Sequence, residues 1–154
     1  MTLDVGAPAP DFTLPTDGNG SITLSALRGR AVVIYFYPKD DTSGCTAEAC
    51  GFGEQLPHFE KVDATIIGIS KDSVASHDKF KAKYNLPFTL ASDAGGDVTE
   101  RYGAWAEKNM YGRKYMGIER STFLIDKDGI VRAIWRKVKV PGHVDAVLKA
   151  VTAL

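Results

Sequence analysis

The sequence Pro38-Lys-Asp-Asp-Thr-Ser-Gly-Cys45-Thr-Ala-Glu-Ala-Cys50 joins two segments of opposite character. Before it, residues 31–37 are continuously apolar and β-branched or aromatic, which is typical of a strand buried on both faces. Pro38 ends that strand, and a polar loop leads into residues 43–61, which have the pattern of a helix. The segment is therefore predicted to connect a buried strand to the first turn of a helix.

Working outward from this segment, strands and helices alternate along the chain. Such an order predicts an α/β fold, a layered sandwich with a central mixed β-sheet and an N-terminal β-hairpin, in one domain over residues 1–154. The remaining predicted elements are hairpin strands at 11–14 and 21–24, strands at 64–70 and 88–91, helices at 73–84 and 97–102, a hairpin of strands 121–126 and 130–135, and an amphipathic helix at 143–154.

The composition is that of an average globular domain and excludes several classes of function. Lys plus Arg equals Asp plus Glu, 19 against 19, so no overall charge would attract nucleic acid or an anionic membrane. The longest apolar run, residues 31–37, is far shorter than the roughly 20 residues that span a bilayer. Residues 1–10 lack the basic and apolar regions of a secretory signal, so we expect a cytoplasmic protein.

The chain has 2 Cys, Cys45 and Cys50, five positions apart. They can form one short disulfide, remain two separate thiols or act as a redox pair, and a reducing cytoplasm favours a transient bond over a structural one. A buried cysteine also often serves simply as a small apolar side chain. Zinc binding is disfavoured because His58 is the one nearby histidine, and the lack of a C-x-x-C motif argues against a thioredoxin-type reductase.

The position of Cys45 favours a reactive thiolate. With Thr42 or Ser43 as the N-cap, Cys45 falls in the first helical turn, where unpaired N–H groups and the helix dipole stabilise a negative charge. The hydroxyl of Thr42, three residues earlier, is placed to reach the sulfur or an oxygen of a bound substrate. We therefore expect Cys45 to be the nucleophile.

Helix geometry prevents Cys50 from bonding to Cys45 while the helix is intact. Five residues of helix rotate about 500° and separate the Cα atoms by roughly 8–9 Å, whereas a disulfide needs about 4.4–6.8 Å. The residues after Cys50 include Gly51, Gly53 and Pro57, which all disfavour a helix interior. We therefore expect the helix to alternate between a folded dithiol and an unwound disulfide, and alanine at both glycines to slow disulfide formation.

At these residues the sequence resembles the peroxiredoxins, thiol peroxidases of thioredoxin-like fold. Pro38, Thr42 and Cys45 match the family pattern P-x-x-x-(T/S)-x-x-C, and the run through Cys50 is similar to the bacterioferritin comigratory protein, or peroxiredoxin Q, subfamily. Ser43 departs from the proline that is frequent there. Similar segments cover nearly the whole chain, at 7–12, 68–70, 105–108 and 117–126.

The resemblance implies a role for each site residue. Cys45 would be the peroxidatic and Cys50 the resolving cysteine, with Arg120 holding the thiolate and the peroxide oxygens. Pro38 would shield the sulfur from water and shape the substrate pocket, and Glu48 would pair with the arginine and orient it. As bare sequence, Arg120 and Glu48 would equally be surface charges.

The resemblance also implies a reaction and its partners. Hydrogen peroxide or an alkyl hydroperoxide would oxidise the first cysteine to a sulfenic acid, an intramolecular disulfide would form, and thioredoxin or glutaredoxin would reduce it, without metal or other cofactor. Because the disulfide would form within one chain and would need no partner subunit, we expect an antioxidant enzyme that works as a monomer. The alternatives are a protein disulfide oxidoreductase and a non-catalytic binding protein that keeps the thioredoxin fold.

Overall fold

The computed structural model describes residues 3–154, and its helices and strands follow the predicted alternation closely. The strands are β1 Thr13–Thr16, β2 Gly20–Thr23, β3 Ala31–Phe36, β4 Ala64–Ser70, β5 Thr89–Ser92, β6 Trp105–Met110, β7 Arg113–Ile118, β8 Ser121–Ile125 and β9 Val131–Trp135. The helices are α1 Ser43–Lys61, α2 Val74–Tyr84, α3 Val98–Arg101 and α4 His143–Thr152, with short 3-10 turns at Asp17–Asn19 and Leu24–Leu27.

Seven strands form one mixed sheet in the order β2-β1-β5-β4-β3-β8-β9. The central strands β3, β4 and β5 are parallel to one another, and β8 runs antiparallel to β3. The β1–β2 hairpin extends one edge of the sheet through an antiparallel bridge to β5. This is the mixed α/β sandwich with an N-terminal hairpin that the sequence predicts.

Strand β3 is buried along its whole length because apolar layers cover both faces of the sheet. Val33 and Tyr35 point into one core cluster together with side chains of α1, α2 and α4. Val32 and Ile34 point to the other side, where they pack with residues of the N-terminal segment, α3 and β8. The run of residues 31–37 is continuously apolar because a central strand packs against other residues on both of its faces.

The predicted bounds of α1 and β4 and the predicted N-cap of α2 are confirmed by the structure. Helix α1 covers Ser43–Lys61 and β4 covers Ala64–Ser70, as expected. Ser73 is the N-cap of α2, and its side chain accepts a hydrogen bond from the backbone N–H of Ser76. On α4, Val144, Val147 and Val151 are the buried apolar face that the sequence pattern predicts.

A second sheet, the two-stranded hairpin of β6 and β7, was not predicted from the sequence. Its strands pair antiparallel from Trp105 opposite Ile118 to Met110 opposite Arg113, and most of their side chains are exposed. Strands without a buried face show no apolar alternation, so the usual signal is missing. Across the residues that the model describes, no helix has the length and apolar character needed to cross a membrane.

Candidate active site

The site lies where β3 ends and α1 begins. The loop of residues 37–42, here called the β3–α1 loop, leads from the strand to Thr42, the N-cap of α1, whose carbonyl accepts a hydrogen bond from Thr46 N–H at 2.8 Å. Cys45 is therefore in the first helical turn, and its side chain is buried at 1% exposure. The sulfur thus lies beside the N-terminus of α1, the end of a helix where unpaired N–H groups and the dipole favour a negative charge.

Arg120 meets the sulfur from the opposite direction. Ser121 at the start of β8 pairs with Phe36 at the end of β3, so the residue before it lies beside the β3–α1 loop. From there Arg120 Nη2 donates to Cys45 Sγ at 3.2 Å, and Nη1 donates to Glu48 Oε1 at 2.7 Å. The guanidinium thus contacts two side chains of α1, although Arg120 lies more than seventy positions further along the chain than either of them.

Glu48 is a fully buried carboxyl group, not a solvated helix residue. Burial raises its pKa to about 7, against the lowering effect of Arg120. Its second oxygen, Oε2, has no hydrogen-bond partner among residues 3–154, and neither has the hydroxyl of Tyr35 on the neighbouring strand. A carboxylate with one unpartnered oxygen is costly in the interior, so the arrangement supports a neutral carboxyl group at slightly acid pH.

Two further titratable side chains influence the charge at this site. Lys108 from β6 has a lowered pKa, chiefly because of burial and then because of the positive charge of Arg120. Burial and the same guanidinium lower the pKa of His143 to about 4, so this histidine is neutral at pH 7. Arg120 is the cationic side chain whose hydrogen bond to Cys45 Sγ the structure shows.

Cys50 occupies a different environment about 1.4 turns further along α1. Its thiol is partly exposed in a cleft of about 270 Å³ between α1 and the segment 84–87. Burial, and next the nearby charge of Glu54, raise the pKa of Cys50, which favours its thiol form. Both cysteines are unbonded, and α1 is intact between them.

The two glycines after Cys50 also have a packing role that the sequence did not reveal. A Cβ at Gly51 would lie 3.1 Å from Val144 Cγ2 on α4, and one at Gly53 would lie 3.1 Å from Pro87 Cδ. Alanine at these positions would strengthen the helix and crowd its neighbours at once. The expected effect of alanine at Gly51 and Gly53 is therefore an ambiguous test of helix unwinding, because stiffening and crowding would occur together.

The structure brings Cys45, Glu48 and Arg120 into contact, whereas the other predicted site residues lie at the surface. Pro38 is exposed, next to the buried end of the loop. Thr42 is also exposed, and its hydroxyl donates to the carbonyl of Lys39 at 2.9 Å, not to the sulfur.

Sequence reasoning missed Gly44, whose closeness to the arginine has no signal in the sequence. A Cβ there would lie 3.1 Å from Arg120 Nη2, so the glycine leaves room for the guanidinium. It also missed the buried contact between Asp40 of the β3–α1 loop and His77 of α2, in which Asp40 Oδ2 lies 2.7 Å from His77 Nδ1. A polar residue in a loop and a lone histidine in a helix give no indication that they meet.

Comparison with known proteins agrees with this arrangement. The profile of the AhpC/TSA family matches residues 5–134. A putative peroxiredoxin bcp of Coxiella burnetii is 55% identical, covering 96% of this chain and 98% of its own length, and peroxiredoxin Bcp of Bacillus subtilis is 49% identical, covering 97% and 95%.

A solved structure shows the same likeness in three dimensions. The bacterioferritin comigratory protein of Xanthomonas campestris, studied for its alkyl peroxide reduction activity, superposes with a TM-score of 0.90 at 48% identity, over 98% of this chain and 96% of that one. Profile, sequence and fold agree over nearly the full length of the chain. The chain therefore belongs to the AhpC/TSA family, as a peroxiredoxin of the Bcp or peroxiredoxin Q type, and its activity is that of a thiol peroxidase.

Proposed function

We propose that Cys45 is the peroxidatic cysteine of this peroxidase and that Cys50 resolves it within the same chain. The observation that carries the proposal is the 3.2 Å contact from Arg120 Nη2 to Cys45 Sγ, at the N-terminus of α1. The guanidinium is permanently charged, so it stabilises a thiolate and any negative charge that develops on a peroxide oxygen. Glu48 fixes its orientation from the other side at 2.7 Å.

In the first step the Cys45 thiolate attacks one oxygen of the hydroperoxide ROOH. An S–O bond forms as the O–O bond breaks, and the leaving alkoxide takes a proton and departs as ROH. The sulfur is oxidised to a sulfenic acid, Cys–SOH, and the peroxide is reduced to an alcohol, or to water when R is hydrogen. Every group required except the peroxide and the proton belongs to the chain.

Thr42 and Pro38 form the outer part of this site. Thr42 lies three residues before the nucleophile, and its hydroxyl is free to rotate from the Lys39 carbonyl to a bound peroxide oxygen. Pro38 is an exposed residue of the β3–α1 loop, and its role in this proposal is to limit the access of water to the sulfur. Both residues therefore contribute to substrate binding, not to the nucleophile itself.

In the second step α1 unwinds from its first turns through the segment after Cys50 that contains Gly51, Gly53 and Pro57, and so releases Cys50. Its thiol loses a proton and attacks the sulfur of Cys45; an S–S bond forms, the S–O bond breaks, and the hydroxide leaves as water with that proton. Unwinding is required because the two residues are five positions apart on an intact helix. Partial exposure of Cys50 at a cleft leaves room for the movement.

A dithiol protein of the thioredoxin type then reduces the disulfide and is itself oxidised, which regenerates both thiols. Thioredoxin or glutaredoxin fits this role, and the cycle belongs in a reducing compartment such as the cytoplasm. We place it in a monomer because no second subunit is needed for resolution. Hydrogen peroxide and alkyl hydroperoxides are the proposed substrates, and the activity described for the Xanthomonas relative supports the second class.

Two cysteine variants test the assignment. Cys45→Ser should abolish peroxide consumption, whereas Cys50→Ser should keep the first oxidation and lose turnover supported by thioredoxin. Full peroxide turnover by Cys45→Ser would contradict the proposal. A parallel assay of insulin reduction tests the protein disulfide oxidoreductase alternative, which predicts activity there and none toward peroxide.

A further inference from the structure

The β3–α1 loop contains a buried carboxylate whose contacts serve neither the thiolate nor its arginine. Asp40 has a side chain that is 4% exposed although it lies in a loop. Its Oδ1 accepts from Tyr37 Oη at 2.6 Å, and its Oδ2 accepts from Ser76 Oγ at 2.8 Å and from His77 Nδ1 at 2.7 Å. Its backbone N–H donates to Asp72 Oδ2 at 2.8 Å. The loop is thereby fastened to the first turn of α2 and to the end of β4.

His77 is the most deeply buried partner in this group, with a side chain that is 0% exposed. Its Nε2 lies 3.0 Å from the carbonyl oxygen of Ala91, which can only accept, so Nε2 carries a proton. Its Nδ1 faces the Asp40 carboxylate, which also accepts. The ring therefore joins the loop to β5 through two buried polar contacts, and its Nδ1 also lies 3.4 Å from Tyr37 Oη.

The next residues along the chain extend this attachment to the opposite end of α2. Asp41 has a left-handed backbone, φ 58°, and its carboxylate accepts from Lys83 Nζ at 2.8 Å and from Tyr84 Oη at 2.7 Å. These outer contacts are exposed, so solvent and salt weaken them. The contact through the buried histidine is shielded from both. It is therefore expected to hold the loop that ends at Thr42 more firmly than the exposed contacts of Asp41 do.

We propose that His77 is a positioning residue for the peroxidatic site and acts through Asp40. By holding the β3–α1 loop, the buried pair sets where Thr42 and the first turn of α1 place the Cys45 sulfur relative to Arg120. Helix α2, which supplies none of Cys45, Glu48 and Arg120, thereby becomes part of the catalytic framework. The inference rests on the proposed role of Cys45 as the nucleophile.

Two substitutions at His77 separate this role from a purely structural one. The amide nitrogen of His77→Asn occupies the place of Nδ1 and can still donate to Asp40, whereas that of His77→Gln occupies the place of Nε2 and donates to Ala91 O. Each variant loses one of two buried hydrogen bonds, so both should lower the melting temperature by similar amounts. The rate constant for Cys45 oxidation by hydrogen peroxide should fall about tenfold or more in His77→Gln and less than about threefold in His77→Asn.

The rate constant is measured by rapid mixing of the reduced protein with hydrogen peroxide. Lys79→Ala, an exposed change on the same helix, is the matched control and should leave the rate unchanged. Equal slowing by both histidine variants, or slowing by neither, would overturn the inference while Cys45→Ser still abolishes oxidation. If Cys45→Ser retains peroxide turnover, the proposed function fails instead, so the two failures are distinguishable.

Discussion

Cys45 and Cys50 lie on one unbroken helix, five residues apart, with the first thiol buried and the second at the edge of a cleft. In the proposed cycle, the oxidation of Cys45 and the later attack by Cys50 therefore start from two different environments. The first cysteine can be activated in a finished, water-poor site, and the second stays protonated until the helix opens. The rate of the second step is therefore expected to report the stability of α1.

Pro57→Ala should slow disulfide formation without altering the first oxidation. Pro57 is exposed inside α1 and has no N–H to donate to the carbonyl of Gly53, so an interior proline costs about 3 kcal/mol relative to alanine. Restoring that bond stiffens the helix beyond Cys50. We expect the disulfide to form at least about threefold more slowly, measured by rapid quenching with a thiol reagent and mass analysis.

The matched control is Glu60→Gln, an exposed change in the same helix that leaves the backbone ladder intact. It should form the disulfide at the parent rate. A Pro57→Ala variant that matches the parent would show that opening of α1 does not limit the second step.

Arg120→Lys should lower the rate of Cys45 oxidation by a factor of about 10²–10³. A lysine keeps the charge but has all three N–H donors on one nitrogen, so it cannot reproduce the fixed fork in which Nη1 donates to Glu48 at 2.7 Å and Nη2 to Cys45 at 3.2 Å. Stopped-flow measurement with hydrogen peroxide gives the rate. Arg132→Lys, on an exposed side chain paired with Asp126, should behave like the parent; an equal loss there would indicate a general effect of lysine.

Gly44→Ala should slow the same step although it adds only a methyl group. The new Cβ would lie 3.1 Å from Arg120 Nη2, the nitrogen that donates to the sulfur, and so displaces the guanidinium. We expect a loss of about tenfold. At Gly95 an added Cβ meets nothing within 4 Å, so Gly95→Ala is the control and should be inert. Parent-like kinetics in Gly44→Ala would mean that the guanidinium position is not critical.

Glu48→Gln should change how stability depends on pH. Burial raises the pKa of Glu48 from 4.5 to about 7, so between these values the folded protein holds a proton that the unfolded chain has released. The stability contributed by this group is therefore complete below pH 4.5 and decreases as the pH rises to about 7, by at most about 1.4 kcal/mol per pH unit. The variant should lack this decrease.

Urea unfolding of the reduced protein at a series of pH values provides the measurement. Glu60→Gln removes the same charge from an exposed position of α1 and should retain the slope of the parent. The same slope in Glu48→Gln would mean that another group is responsible.

The sequence predicted most of the main sheet and α1 because their signals are local. The apolar runs of β3 and β4 and the residues that begin and end α1 are visible in short windows, and the structure places them as expected. The β6–β7 hairpin escaped prediction because its strands stabilise each other and bury little, so no apolar periodicity marks them.

The site was predictable only in part, for the same reason. The spacing of Cys45 and Cys50 and the helix start indicate a candidate redox pair directly from the residues. Arg120 is 75 positions from Cys45, so family resemblance alone indicated it. The contact between Asp40 and His77 spans 37 positions and depends on how α2 packs against the loop, which no local pattern encodes.

The most direct test of the account is the mass of the non-reduced protein after reaction with one equivalent of peroxide. The account predicts the loss of two hydrogen atoms and a peptide map that links Cys45 to Cys50 within one chain. A mass increase of one oxygen that persists on Cys45 while Cys50 remains a free thiol would contradict it, as would a link between two chains.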